Sequence, residues 1–326
     1  MFPATINHNK SLTSEKISER TMANIKRSIS PNTQKSYQSD LRHFKQWLDE
    51  NDRSFSIPVL PGVIADYISD LDVQNFSMAT IERRISAISW MHRVNDVHEA
   101  HTSHKMILLT LQGIRRKRAE EGRKTNSEGK QPLILDELRA VIDCIDKSTL
   151  IGLRDKAMIL VGFSGALRRS ELVALQVEDI TITGPGADII IRKSKTDQSG
   201  KSQSVSILRG STDLCPVKAL ITWYEASAIY SGPIFLRFTP NGTLYTKSIS
   251  CRTYADTIKK YCKLAGFNSA RYSGHSSRSG MLTSAAENGS DLIPLAQHAR
   301  HKTTNQTMHY IRKANRYKNN PTEGLL

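Results

Sequence analysis

The stretch SGHSSRSGMLTSAAENGSDLIPLAQHARHKTTNQTMHY, residues 273–310, decides how the rest of the chain is read. It holds His275, Arg278, His301 and Tyr310 within one short span. An arginine is a permanently charged planar fork for phosphate oxygens. Imidazoles donate hydrogen bonds or move protons near neutral pH. A tyrosine hydroxyl can form a covalent intermediate. These are the groups needed to hold a phosphate and attack it.

Local pattern supports grouping them. Ser273-Gly274 reads as a loop, and the next run reads as a helix ending at Asn288-Gly289. His275 and Arg278 are then three apart, on one face of its first turn, where free backbone N–H groups favour anions. Ser290 is a plausible N-cap for a helix over 291–299, and Thr303 or Thr304 for another that carries Tyr310 about two turns in. His and Arg three apart are common on basic helices, so the motif needs partners elsewhere in the chain.

The chain has 326 residues, with 46 Lys and Arg against 31 Asp and Glu, a net charge of +15. That length accommodates two domains with their own cores. The charge points to a polyanion, with nucleic acid before an anionic membrane. No apolar run approaches a membrane span, and no signal-peptide pattern opens the chain, so a cytoplasmic protein is expected. Cys144, Cys215, Cys251 and Cys262 are scattered without C-x-x-C spacing, which indicates neither a zinc site nor a disulfide framework. There is no Gly-rich phosphate loop and no H-E-x-x-H.

Residues 1–29 read as a polar arm with a helix within 13–28. Ser30-Pro31 opens a helix over 31–50 with Tyr37, Leu41, Phe44 and Leu48 on one face. A second helix covers about 61–73, and Ser77 opens a third with Ile81, Ile85, Ile88 and Met91 as its stripe and Arg83 and Arg84 projecting elsewhere. A fourth covers about 103–118 and ends in Arg115-Arg116-Lys117-Arg118. Residues 30–118 thus form an all-helical domain with basic outer faces. Residues 119–131 read as a linker and 132–326 as the second domain with a C-terminal tail.

In the second domain helices are expected at 135–145 and 152–163. The latter runs into GFSGALRRSELVALQ, where Arg168, Arg169 and Glu171 interrupt an apolar stretch; such charges are costly unless paired or functional. VEDITIT, ADIIIRK and SQSVSIL, separated by turns, read as a three-stranded antiparallel meander with Lys195 at its second hairpin tip. Helices follow at about 214–228, 247–265 and 275–313. The fold class expected is mostly α with a small antiparallel β-sheet: an all-helical N-terminal DNA-binding domain and an α+β catalytic domain.

In this order the boxes GALRRSEL, SKTDQSG, SGHSSR and QHARHKTTNQTMHYIR resemble those of the tyrosine recombinases, the phage integrase family. SPNTQKSYQSDLRHFKQW, SMATIERRISAISWMHR and LQGIRRKR are similar to the N-terminal helices of its Cre-like group, so the likeness covers roughly 30–313. The resemblance implies a catalytic set of Arg168, Lys195, His275, Arg278, His301 and Tyr310, supported by Glu171. Tyr310 would attack a scissile phosphate to give a 3′-phosphotyrosyl link, and Lys195 would protonate the leaving oxygen. No metal, ATP or other cofactor is implied. Two departures stand out. Arg169 follows Arg168 where the family usually has an apolar residue, so the two arginines could exchange roles. Arg300 precedes His301 where many relatives have glycine.

The likeness also implies DNA-binding positions at Lys35, Arg83, Arg84, Arg237 and Arg252; for each, plain surface charge is the competing reading. The implied partners are double-stranded DNA with inverted-repeat sites and a homotetramer on two such sites. The tail after Tyr310 is either a segment that docks in a neighbouring protomer or a frayed terminus. A relaxing type IB topoisomerase and a catalytically idle DNA-binding regulator are the competing functions.

Overall fold

The computed structural model describes residues 18–95, 97, 101–123, 129–192 and 203–314. Its chain divides into two compact units, residues 1–128 and 129–326.

The first unit contains five α-helices among its described residues: α1 (Glu19–Arg27), α2 (Pro31–Glu50), α3 (Pro61–Val73), α4 (Met78–Val94) and α5 (Lys105–Glu120). Serines start three of them, Ser18 for α1, Ser30 for α2 and Ser77 for α4. Ser30 Oγ accepts from the Thr33 N–H and Ser77 Oγ from the Thr80 N–H, satisfying amides that the first turn leaves open. Phe44 and Leu48 of α2 pack with Tyr67 and Ile68 of α3, Ile81 and Ile88 of α4, and Ile107 of α5. Trp47 joins this core, its indole N–H donating to Asp70 at 2.8 Å.

Two basic residues turn inward here. Arg118, the last of the basic run, is buried against Asp72 at 2.6 Å and donates to the Phe76 carbonyl. Arg84 is also buried, contrary to the expectation that it projects away from the core. Its guanidinium lies over the Phe76 ring, 4.1 Å from the centroid, with His43 Nε2 at 3.1 Å and Asp40 at 3.7 Å. A buried carboxylate attracts whatever cation can reach it, and Asp40 takes both Arg84 and a two-bonded Arg83.

The second unit is built on α7 (Leu150–Ser164), buried along most of its length, with α6 (Leu135–Asp143) before it and the short α8 (Arg169–Ala174) after it. The meander follows as β1 (Ile180–Ile182), β2 (Gly186–Ile191) and β3 (Gln203–Leu208), antiparallel in the order β1-β2-β3. Ala187, Ile189 and Ile191 alternate inward, as do Val205 and Ile207 opposite them, the period of a sheet with one face on the core. After α9 (Pro216–Ser227) comes a hairpin, β4 (Leu236–Phe238) and β5 (Leu244–Ser248). Its turn places Gly242 at φ 79°, a conformation glycine adopts without steric cost. The helix expected over 247–265 is therefore shorter, α10 (Cys251–Leu264), capped by Ser250.

The last three helices are α11 (Ser276–Glu287), α12 (Leu292–Ala299) and α13 (Thr304–Ala314). A segment before α6 binds the start of α11: Gln131 N–H donates to the Arg271 carbonyl and Leu133 N–H to that of Ser276. This approach requires a glycine, because a Cβ on Gly280 would lie 1.8 Å from the Leu133 carbonyl oxygen. Among the described residues no helix is long and apolar enough to cross a membrane. The 193–202 hairpin with Lys195, residues 124–128 of the expected linker, and the tail from 315 lie outside the described residues.

Candidate active site

The site is built where the end of α7, the start of α8, the start of α11 and the loop between α12 and α13 converge. Arg168 is the N-cap of α8. Its backbone N–H donates to Glu171 Oε2 at 2.9 Å and its Nη1 to Glu171 Oε1 at 2.6 Å. Glu171 is wholly buried. Burial opposes its ionisation, but the Arg168 amide and guanidinium and the charge of Arg300 outweigh that and hold its pKa below the ordinary value. The carboxylate therefore orients a charged Arg168. The neighbouring Arg169 is exposed, its stem against Gly274, so of the two adjacent arginines it is Arg168 that Glu171 holds.

Arg278 sits on the first turn of α11 and is 2% exposed. Its two terminal nitrogens donate to the carbonyls of Ala166 and Ala299. Burial, then the neighbouring charges of Arg168 and Arg300, push its pKa down to about 10, so it remains cationic at pH 7. Three guanidiniums gather near one carboxylate here, Arg168 and Arg300 bonded to it and Arg278 not, an excess of positive charge that suits an anion.

His301 follows α12 and is fixed by Thr307 of α13, whose Oγ1 lies 2.7 Å from Nδ1. Burial, then the charges of Arg278, Arg168, Arg300 and His275, lower its pKa to about 4. The ring is neutral at pH 7, and Nε2 is the nitrogen that Thr307 does not occupy. Tyr310, six residues into α13, packs against the small cluster of Leu282, Ala286, Leu295 and Ala299. Burial raises its phenol pKa although the Arg278 charge pulls the other way, so the hydroxyl is protonated until something removes its proton. His275 is the exposed N-cap residue of α11, and its charge reaches His301.

Five of the six candidate catalytic residues are thus described and electrostatically linked. The sixth, Lys195, lies outside the described residues. The first residues after its hairpin, Gln203 and Ser204, line a cavity with Gln297, Arg300, His301 and Lys302. Thr307 and the internal role of Arg300 were not anticipated from sequence. Thr307 lies three residues before Tyr310, on the same helix face, which is the one signal that could have marked it. Among the candidate DNA-binding residues Lys35, Arg237 and Arg252 are exposed, with Arg252 bound only lightly to Asp256 one turn along. Arg83 is half exposed and held by Asp40. Arg84 is buried and turned away from solvent.

Residues 132–316 match the phage integrase family, and residues 21–94 match the SAM-like N-terminal domain of phage integrases. An integrase/recombinase XerD homolog of Selenomonas ruminantium is 35% identical over 309 residues, spanning 94% of this chain and 89% of the relative. The Cre recombinase of Escherichia phage P1 is 24% identical over 306 residues, spanning 88% and 85%. The fold resembles that of the XerH site-specific recombinase in a post-cleavage complex with a palindromic difH substrate, with a TM-score of 0.64 and 16% identity over 86% of this chain and 76% of that one. The chain belongs to the phage integrase family and is an enzyme of the tyrosine recombinase type.

Proposed function

We propose that this protein is a site-specific DNA recombinase that cuts and rejoins strands through Tyr310, without metal or ATP. The observation that carries the reading is the cationic cradle of Arg168 and Arg278, oriented by Glu171 and backbone carbonyls, beside a protonated tyrosine. The Tyr310 oxygen attacks the phosphorus, the 5′-oxygen leaves, and a 3′-phosphotyrosyl link results. Arg168 and Arg278 stabilise charge on the non-bridging oxygens, and His301 adds a hydrogen bond from Nε2. His275 receives the tyrosine proton, and Lys195 gives one to the leaving oxygen. Attack by a 5′-hydroxyl of a partner strand reverses the step on a new strand and conserves the bond energy.

The partner proposed is double-stranded DNA with inverted repeats, bound by four copies of this chain across two sites, in the cytoplasm or nucleoid. The XerH relative in complex with a palindromic substrate supports a DNA partner. A type IB-like relaxing activity is the second reading, since it uses the same chemistry. Incubating purified protein with a supercoiled plasmid bearing two selected sites separates them. Exchange between sites is expected; relaxation without exchange, equal on plasmids lacking the sites, contradicts recombination.

A further inference from the structure

Arg300 ends α12 in the left-handed region, at φ 54° and ψ 47°. A residue with a Cβ there costs about 1–2 kcal/mol, and burying its charge costs more. Ending a helix requires neither expense, because glycine fits the same backbone. The side chain is 4% exposed and reaches four acceptors. Nη1 donates to the carbonyls of Gly165 at 3.1 Å and His298 at 2.8 Å. Nη2 donates to the Ala166 carbonyl at 3.1 Å and to Glu171 Oε2 at 3.2 Å. Ala166 is itself left-handed, at φ 44°, and its carbonyl also receives Arg278. One planar fork therefore joins the turn after α7, the carboxylate of α8 and the end of α12.

We infer that Arg300 is a positioning residue for strand cleavage: together with the Arg168 backbone N–H its side chain holds Glu171 Oε2, and so confines Glu171 to a one-oxygen contact with the Arg168 guanidinium, whose Nη2 is met by the Arg300 carbonyl at 3.4 Å. Without the Arg300 side chain only the Arg168 backbone N–H restrains Oε2, and the carboxylate turns more readily to pair with the Arg168 guanidinium through both oxygens and compete with the substrate. The same loss frees the 299–301 loop that presents His301. The inference rests on the proposed role of Arg168 in phosphate binding.

The full-length chain is the test material, with Arg300→Gly and Arg300→Lys beside the wild type. The probe is a nicked duplex carrying the sequence that wild-type protein selects from a randomised pool. Covalent adduct formation is timed at saturating DNA, and affinity is measured separately. Arg300→Gly removes the fork and the backbone cost together. It is expected to bind within about twofold of wild type and to cleave about tenfold or more slowly, because small misplacements of catalytic groups cost that much. Arg300→Lys keeps the charge but not the fork and is expected to fall between; it decides the matter if the glycine variant does not fold. A wild-type cleavage rate in the folded variant, or a slowing that vanishes at saturating DNA, overturns the inference. Absence of any adduct from the wild-type chain refutes the reading of the site itself, and the inference with it.

Discussion

Arg83 and Arg84 are adjacent in sequence and both reach Asp40, yet they differ in exposure. Arg83 stays half exposed on Asp40, while Arg84 turns under Phe76 and is lost to solvent. Arg84 stands three residues after Ile81 and four before Ile88, at the spacing of the buried stripe, and only its charge argued for solvent, because charge does not show that Asp40 is buried. Arg300 stands out in sequence as a departure from glycine, but its buried role is hidden for a related reason. Glycine or asparagine marks a left-handed helix end in sequence, and an arginine compensated by a carboxylate far along the chain gives no such mark. Lys195 was readable only through its hairpin motif. Its assignment as proton donor predicts that Lys195→Ala slows cleavage and that a 5′-bridging phosphorothiolate substrate restores the rate, because a thiolate leaves without a proton. Timed cleavage of the two substrates checks this; rescue of Lys201→Ala in its place would move the role to Lys201.

At the scale of elements the sequence was most legible where local chemistry fixes a helix start. Ser30-Pro31 and Ser77 put α2 and α4 where their caps indicated. The meander was legible from its alternation, and α11 from its end at Asn288. The β4–β5 hairpin was missed although Asn241-Gly242 marks its turn, because its strands are short and half exposed and carry little alternation. The docking of the 131–133 segment on α11 was also invisible, being a contact between backbones distant in sequence. It yields a prediction. Gly280→Ala drives a methyl into the Leu133 carbonyl and is expected to destabilise the chain by about 1–3 kcal/mol, as overpacking does. Denaturant unfolding measures it; an unchanged midpoint would mean that the segment yields without cost. Because the contact fixes the first turn of α11, the same variant is expected to cleave more slowly than wild type.

For the whole molecule, the net charge of +15 predicts steep salt dependence of DNA binding, with log affinity falling by roughly 0.9 per neutralised phosphate for each unit of log salt concentration. Arg252→Ala is expected to cost about 1–3 kcal/mol at one base position and relax preference there. Arg237→Ala is expected to weaken all sequences alike and flatten the salt slope. Selection from randomised sites distinguishes the two, and an unaltered preference in the Arg252 variant would shift base reading to the N-terminal unit or to DNA shape. The central claim is that Tyr310 becomes covalently joined to DNA. It is tested most directly by trapping the protein on a nicked suicide duplex and identifying the modified peptide by mass spectrometry. The account predicts a 3′-phosphotyrosyl adduct on Tyr310 in the wild type, and none in Tyr310→Phe at nearly unchanged DNA affinity. An adduct on another residue, or one that persists in Tyr310→Phe, would contradict it.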